Sequence, residues 1–301
     1  MSATRPALGV DVGGTNVRAA LVSAEGVILR RISHPVERER ANFVAMLAGL
    51  VRQLGCNEAS SIGVGLPGRV DAQANLVISA GYLDVAGLPV AQLLHEATGL
   101  PVFIDNDCTM ALVAEMAVGA AAGKRDVAML TIGTGIGGAI AIDGRLLQGA
   151  AFAGQLGHVT VDNNGEVCRC GRRGCVETMS SGLALTRHLV QAGKPPSTTP
   201  WELLDAAASG DDAAVALLRR WVRPLRSAID SLIAVVDPAI VLLGGGLGSA
   251  AHESLIYAPS ASSWCQRPVR PAMLGDDAGM IGAALRARQI TDGMIRAEFA
   301  P

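Results

Sequence analysis

One pattern is written twice in this chain. ALGVDVGGTNVRAALV (7–22) and DVAMLTIGTGIGGAIAI (126–142) each read as a strand, a glycine turn and a second strand, built from β-branched and apolar residues. A repeated hairpin with a glycine corner points to two successive α/β units, each opened by such a hairpin. The length agrees: 301 residues are more than one typical core needs. Between and after the repeats, the spacing predicts helices over 43–54, 90–98 and 109–123. A buried strand is expected over 61–67 and a strand ending on carboxylates over 100–107. A further turn is expected at Asp143-Gly144. Residues 201–237 read as helical and contain a long apolar-periodic run with Pro224 as a kink, 238–248 read as a strand running into glycines, and 275–289 as a capped final helix.

Composition removes several classes. Half the residues are hydrophobic and 17% are charged, enough for a packed core. The formal net charge of −2 argues against a nucleic-acid or anionic-membrane surface. The charged stretch RRISHPVERER (30–40) is balanced in sign and reads as a solvated face. The N-terminal stretch lacks the apolar run of a signal peptide, and no segment is long and apolar enough to span a membrane. The expectation is a cytoplasmic protein, where closely spaced cysteines more often bind metal than pair.

Three glycine corners stand out among the 36 glycines: DVGGT (Asp11 to Thr15), TIGTGIGG (Thr131 to Gly138) and LLGGGLG (Leu242 to Gly248). Such corners can serve phosphate, because backbone N–H groups line them and no Cβ blocks approach. Each alone could be an ordinary turn; three together, the first carrying Asp11 and Thr15, favour phosphate. Gly13, Gly14, Thr15, Thr134, Gly135, Gly244, Gly245 and Gly246 are the candidate phosphate-binding residues. There is no GxxxxGK[ST]. Gly133, Gly135 and Gly138 do fit GxGxxG, but that fingerprint needs a following helix and AIAIDG reads as a strand.

The strand LPVFIDND ends on Asp105, Asn106 and Asp107, a polar cluster at the end of a strand where α/β folds gather ligands. Asp107 fits a general base for a hydroxyl, and equally a helix N-cap ahead of TMALVAEM. Asp105 reads as a solvated or structural partner. Further on, Cys168, Cys170 and Cys175 have CxCx4C spacing, with His158 ten residues earlier. Three thiolates and one imidazole make a closed tetrahedral Zn²⁺ set of the structural kind; a disulfide would strain the CxC geometry. Cys56, Cys108 and Cys265 are isolated and read as core residues.

DVGGTNVR, DND, TIGTGIGG, CRCGRRGCVE, LLGGGLG and GDDAGMIGAA resemble, in this order, the motifs of the ROK family (repressors, open reading frames, kinases) of the actin-like ATPase superfamily. The resemblance covers nearly the whole chain. It implies two actin-like (ribonuclease H-like) α/β domains, 1–117 and 118–286, flanking a nucleotide and sugar cleft, with a zinc-stapled loop in the second and a C-terminal helix of about 287–301 completing the first. It implies a kinase using ATP with Mg²⁺ on a hexose hydroxyl, the 6-hydroxyl, with Asp107 as base and structural Zn²⁺ on His158, Cys168, Cys170 and Cys175. Asp11 would help hold Mg²⁺ and the phosphates. Gly68, Asn106, His158 and Glu177 would meet the sugar. A homodimer is implied, with no nucleic acid or membrane partner. The family's repressors carry a DNA-binding segment before the first glycine corner, whereas ten residues precede Asp11 here. A sugar sensor without catalysis is the reading of another class.

Two positions depart from the pattern. Gly81 stands where many members carry Asn. Gln155 replaces the Glu of the family's GExGH, since this chain reads GQLGH. An amide keeps an acceptor oxygen, adds a donor and loses the charge. Glucose or a related hexose is the expected substrate; Gln155 raises an N-acetylhexosamine or allose as the alternative.

Overall fold

The computed structural model of the chain describes residues 5–293. Packing divides the chain into two compact units. One holds the chain through Ala122, the short segment Gln148–Ala153 and the chain from Asp276 onward. The other holds Gly123–Leu147 and Gly154–Gly275.

The first unit contains β1 (Ala7–Val12), β2 (Asn16–Val22), β3 (Ile28–Pro35), α1 (Arg40–Leu54), β4 (Ile62–Leu66), β5 (Arg69–Asp71), β6 (Leu76–Ser79), α2 (Val90–Thr98), β7 (Val102–Asn106) and α3 (Asp107–Val118). Its main sheet runs β3-β2-β1-β4-β7. The hairpin strands pair antiparallel, while β1, β4 and β7 run parallel. Strands in the middle of such a sheet are covered on both faces and read as continuous apolar runs, as IGVGL does in β4. Leu8, Val10, Phe43, Leu47, Ile62, Val64 and Ile104 form the core.

The second unit contains β8 (Val127–Ile132), β9 (Ile136–Ile142), β10 (Arg145–Leu146), α4 (Glu177–Ser180), α5 (Gly182–Gln191), α6 (Pro200–Ala208), α7 (Asp212–Val236), β11 (Ile240–Gly244), α8 (Gly248–Ser254) and β12 (Val269–Pro271). Its sheet order, β10-β9-β8-β11-β12, repeats that of the first unit position for position. Asp143 and Gly144 both have positive φ, 52° and 74°, the signature of the two-residue turn joining β9 to β10. Trp221 is fully buried in this unit's core, and its indole N–H donates to Ser181 O.

Two helical expectations need correction. The run 201–237 is two helices, because Gly210 takes φ 92° and Asp211 then caps α7 by accepting from Ala213 and Ala214 N–H. Pro224 lies inside α7, which continues through it. The last helix, α9 (Ala278–Thr291), has no side-chain cap at Asp277, whose carboxylate takes Arg31 Nη1 at 3.2 Å instead.

The helix α9 belongs to the first unit, and glycines admit it. A Cβ at Gly9 would lie 1.8 Å from Met280 O, at Gly63 1.9 Å from Ala283 O, and at Gly282 1.7 Å from Met110 O. This contact explains why the return to the first unit comes at Asp276, rather than near 287. Residues 294–301 of the expected C-terminal helix lie outside the described residues. Among the described residues, no helix is long and apolar enough to cross a membrane.

Candidate active site

In the first unit the site grows from the ends of β1, β4 and β7. The chain leaves β7 at Asn106, which is the N-cap of α3: its Oδ1 accepts from Cys108 N–H (2.9 Å) and Thr109 N–H (3.2 Å), and its Nδ2 donates to Gly68 O (2.9 Å). Asp107 is therefore the first helical residue and not the cap. Its Oδ1 accepts from Cys108 N–H at 2.9 Å. Burial pushes its carboxyl above the usual range, against the pull of the hydrogen bonds from Cys108 and Asn106. Gly68 has φ 91°, and a Cβ there would lie 2.2 Å from Ser79 O, so only glycine holds the Asn106 contact in place.

Asp11 stands at the end of β1, beside the first corner. The corner is closed by Gly13 N–H donating to Asn16 O at 3.0 Å, and Gly14 and Thr15 are exposed. Burial is the main force lifting the Asp11 carboxyl to about 7; the charge of Asp107 adds to it, Arg18 opposes it and Asp276 reinforces it. Arg18 Nη1 is 3.8 Å from Asp11 Oδ2, while Arg18 Nη2 pairs with Asp276 at 2.8 Å. A carboxyl raised by burial, and raised further by a second carboxylate in this way, attracts a divalent cation or a proton.

Residues that the sequence did not single out join this set. Tyr82 lies against the corner, its ring and hydroxyl 3.7–3.8 Å from where a Cβ on Gly14 would stand. Burial, and then the charges of Asp107 and Asp11, raise its hydroxyl's pKa. Arg38 Nη2 donates to Gly14 O at 3.1 Å. The only sequence signal for Tyr82 was its rarity, as one of two tyrosines, beside the unusual Gly81. Asp105 is buried rather than solvated. Its Oδ1 accepts from Asn106 N–H (2.7 Å) and its Oδ2 from Gln148 Nε2 (3.2 Å).

In the second unit, Gly133 N–H closes the second corner on Gly135 O at 3.0 Å, leaving Thr134 exposed. Glu177 lies under this corner: its Oε2 accepts from Ile136 N–H at 2.9 Å, and a Cβ at Gly135 would stand 2.6 Å from the same oxygen. The structure thus gives Glu177 a bond to the glycine corner that its placement among sugar ligands did not anticipate. The third corner follows β11. Gly245 takes φ 76°, with no room for a Cβ beside Ile132 O, and Gly245 and Gly246 are exposed while Gly244 is buried. The N-terminus of α5 is bound in as well, Gly182 N–H donating to Gly133 O at 2.8 Å. Gln155 precedes a single 3₁₀ turn, Leu156–His158, and its carbonyl accepts from His158 N–H.

The four zinc candidates converge. The ligand atoms of His158, Cys168, Cys170 and Cys175 lie within 4.8 Å of one another. His158 Nδ1 is 3.5 Å from Cys168 Sγ, and Cys170 Sγ is 3.6 Å from Cys175 Sγ. A tetrahedron with bonds of about 2.0–2.3 Å has edges of about 3.3–3.8 Å; the two short separations match it, and the rest of the set, within 4.8 Å, needs to close by no more than about 1 Å to hold Zn²⁺. Burial first, and then the neighbouring Cys170 and Cys168 sulfurs, push the Cys175 thiol up to about 12. A cation at the centre would reverse that cost.

The model of the ROK family matches residues 7–290 of this chain. The chain belongs to the ROK family. A glucokinase of Thermotoga maritima is 32% identical over 305 residues, covering 92% of this chain and 95% of its own. An N-acetylmannosamine kinase of Vibrio cholerae is 34% identical over 289 residues, covering 94% and 99%. A ROK family glucokinase from Streptomyces griseus, solved in complex with glucose and AMPPNP, superposes with a TM-score of 0.79 at 29% identity, covering 94% and 99%. Mixed-sheet α/β units of this kind are thus shared with ROK kinases, and Asp107, Asp11 and the glycine corners stand in a ROK scaffold.

Proposed function

We propose that this ROK protein is an ATP-dependent sugar kinase that moves the γ-phosphoryl group of ATP to a hexose hydroxyl, the 6-hydroxyl. The observation that carries the reading is the placement, in a ROK chain, of one carboxyl at a glycine corner and another at the start of α3 beside Asn106. Asp107 takes the proton of the attacking hydroxyl; the new O–P bond forms as the bond to the ADP oxygen breaks. A raised carboxyl is a stronger base once ionised, and positioning with charge neutralisation does the rest. Asp11 and the corner residues Gly13, Gly14, Thr15, Thr134, Gly135, Gly245 and Gly246 take the phosphates, and Asp11 helps hold Mg²⁺, which neutralises charge on the transferred group. Gly244, buried, shapes the third corner.

Gly68, Asn106, Gln155, His158 and Glu177 form the sugar side. His158 offers Nδ1 to Zn²⁺ and its other ring nitrogen to the sugar. With Asn106 Oδ1 committed to capping, its remaining N–H is the group left for a hydroxyl. Glu177 holds Ile136 N–H with one oxygen, which leaves the other for the substrate.

The substrate is a hexose of the glucose class. The relatives include both glucokinases and N-acetylmannosamine kinases, and Gln155 bears on the choice because an amide N–H can donate to an acetamido carbonyl where a carboxylate cannot. The test is ADP release with ATP across glucose, mannose, allose, N-acetylglucosamine and N-acetylmannosamine, for the protein and for Gln155→Glu. A shift of kcat/KM towards glucose in the variant is expected; glucose ranking first in both would sink the role given to Gln155. Sugar binding without turnover of any sugar would favour a sensor.

A further inference from the structure

The segment Gln148–Ala153 interrupts the second unit and packs with the first. It is fastened there at two points. Gln148 Nε2 donates to the buried Asp105 Oδ2 at 3.2 Å, and Asp105 Oδ1 holds Asn106 N–H at 2.7 Å. Four residues on, the Arg69 guanidinium lies over the Phe152 ring, 5.2 Å from its centre, and Arg69 Nε reaches Ala151 O at 3.5 Å. Arg69 follows Gly68, the residue whose carbonyl Asn106 holds. One strap is therefore tied to both loops assigned to the sugar, and it leads directly into Gly154 and Gln155.

We infer that Gln148 and Asp105 form a latch that positions this strap as the wall of the sugar site, making Gln148 a positioning residue for sugar binding. The inference rests on the kinase reading. The two ties differ in strength. Arg69 and Phe152 meet at the surface, Phe152 being 49% exposed, where a cation–π contact is weak. The Asp105 carboxyl is 5% exposed, and a buried carboxyl that loses its donor leaves an unsatisfied acceptor. The latch is the tie whose loss should free the strap. Asp105 faces Gln148, Asn106 N–H and the charge of Arg286 from α9. Burial outweighs these three and lifts it to about 6.

Two variants test this, each assayed from pH 5.5 to 8 and checked for unchanged melting. Gln148→Ala should raise the sugar KM about tenfold, with kcat and the ATP KM within about threefold of wild type. Gln148→Glu places a carboxyl against Asp105. At pH 5.5 the pair shares a proton and the latch holds; at pH 8 both are charged and repel. Its sugar KM, divided by that of wild type, should rise about tenfold between these pH values, more steeply than the Gln148→Ala ratio, which follows only the ionisation of Asp105. Amide exchange of residues 148–153 gives a readout independent of turnover: faster in Gln148→Ala at every pH, and in Gln148→Glu only at pH 8. A pH-independent KM ratio for Gln148→Glu, or strap exchange unchanged in Gln148→Ala, overturns the latch. If exchange responds as expected but no sugar is phosphorylated by the wild type, the kinase reading falls and the latch stands.

Discussion

Asp11 is held in a folded state that disfavours its charge, and removing that charge should stabilise the protein. Its carboxyl moves from 3.8 to about 7 on folding. Because the folded pKa lies above the unfolded one, the folded state binds the proton more tightly. Stability then falls as pH rises from about 4 through about 7, and is level outside that window. A change of about three in pKa corresponds to at most ~4 kcal/mol. The Asp11 side chain is 16% exposed, so solvent relieves part of this and ~2 kcal/mol is the working figure. In Asp11→Asn the shape stays and the charge goes. Arg18 is not orphaned, because Asp276 holds it at 2.8 Å. At pH 8 without divalent cations the variant should melt about 3 °C above wild type if the 301 residues melt together. The two should converge near pH 4. Calorimetry or fluorescence melting at pH 4, 6 and 8 measures this, repeated with Mg²⁺ and ADP, which should stabilise wild type more than the variant. A variant less stable than wild type at pH 8, or an advantage that does not depend on pH, would refute the reasoning.

Three further outcomes are expected. Asp107→Asn should lower kcat at least about a thousandfold with zinc content unchanged by metal analysis; wild-type kcat/KM should rise with pH, reaching its plateau above the range of an ordinary carboxyl because burial raises Asp107. Cys175→Ser, or a strong chelator, should remove one Zn²⁺ per chain and raise the sugar KM more than the ATP KM, since His158 loses its anchor; wild-type kinetics in metal-free protein would contradict this. Gly63→Ala should cost more than ~3 kcal/mol, because its Cβ would lie 1.9 Å from Ala283 O and backbone cannot step aside; chemical denaturation measures it.

What could be read from the sequence was what the backbone demands locally. The hairpins were legible because apolar alternation broken by glycine has few other uses, and their repetition carried the shared sheet order, β3-β2-β1-β4-β7 and β10-β9-β8-β11-β12. The His158 and cysteine cluster was legible because three of its four members fall within eight residues, which a single loop must gather. The break between α6 and α7 was not, because Gly210 interrupts an otherwise unbroken apolar rhythm and only its φ of 92° reveals the turn. The last helix reads as capped, yet Asp277 at its start gives no side-chain cap, since Arg31, 246 residues away in sequence, takes its carboxylate.

The same distinction bears on the site residues. Asn106 and Asp107 are neighbours with alternative uses for one helix end, and sequence offers no way to choose between them. The structure gives the cap to Asn106, whose side chain meets two amides and Gly68 O together. Asp107 is thereby relieved of capping and left as the ionisable group at the head of α3. Glu177 and Gln148 reach partners 41 and 43 residues away, and no local spacing encodes such contacts. Both end on atoms next to the glycine corner or the Asn-Asp turn, so the polar residues least visible in the sequence are those that brace the visible ones. Gln155 is the complementary case. Its departure from the family's Glu is plain in the sequence, but the loop that carries it is set by Gln148 on one side and by the His158 cysteine cluster on the other. A substitution at Gln155 should therefore change which sugar is chosen, whereas a substitution at either anchor should weaken every sugar alike.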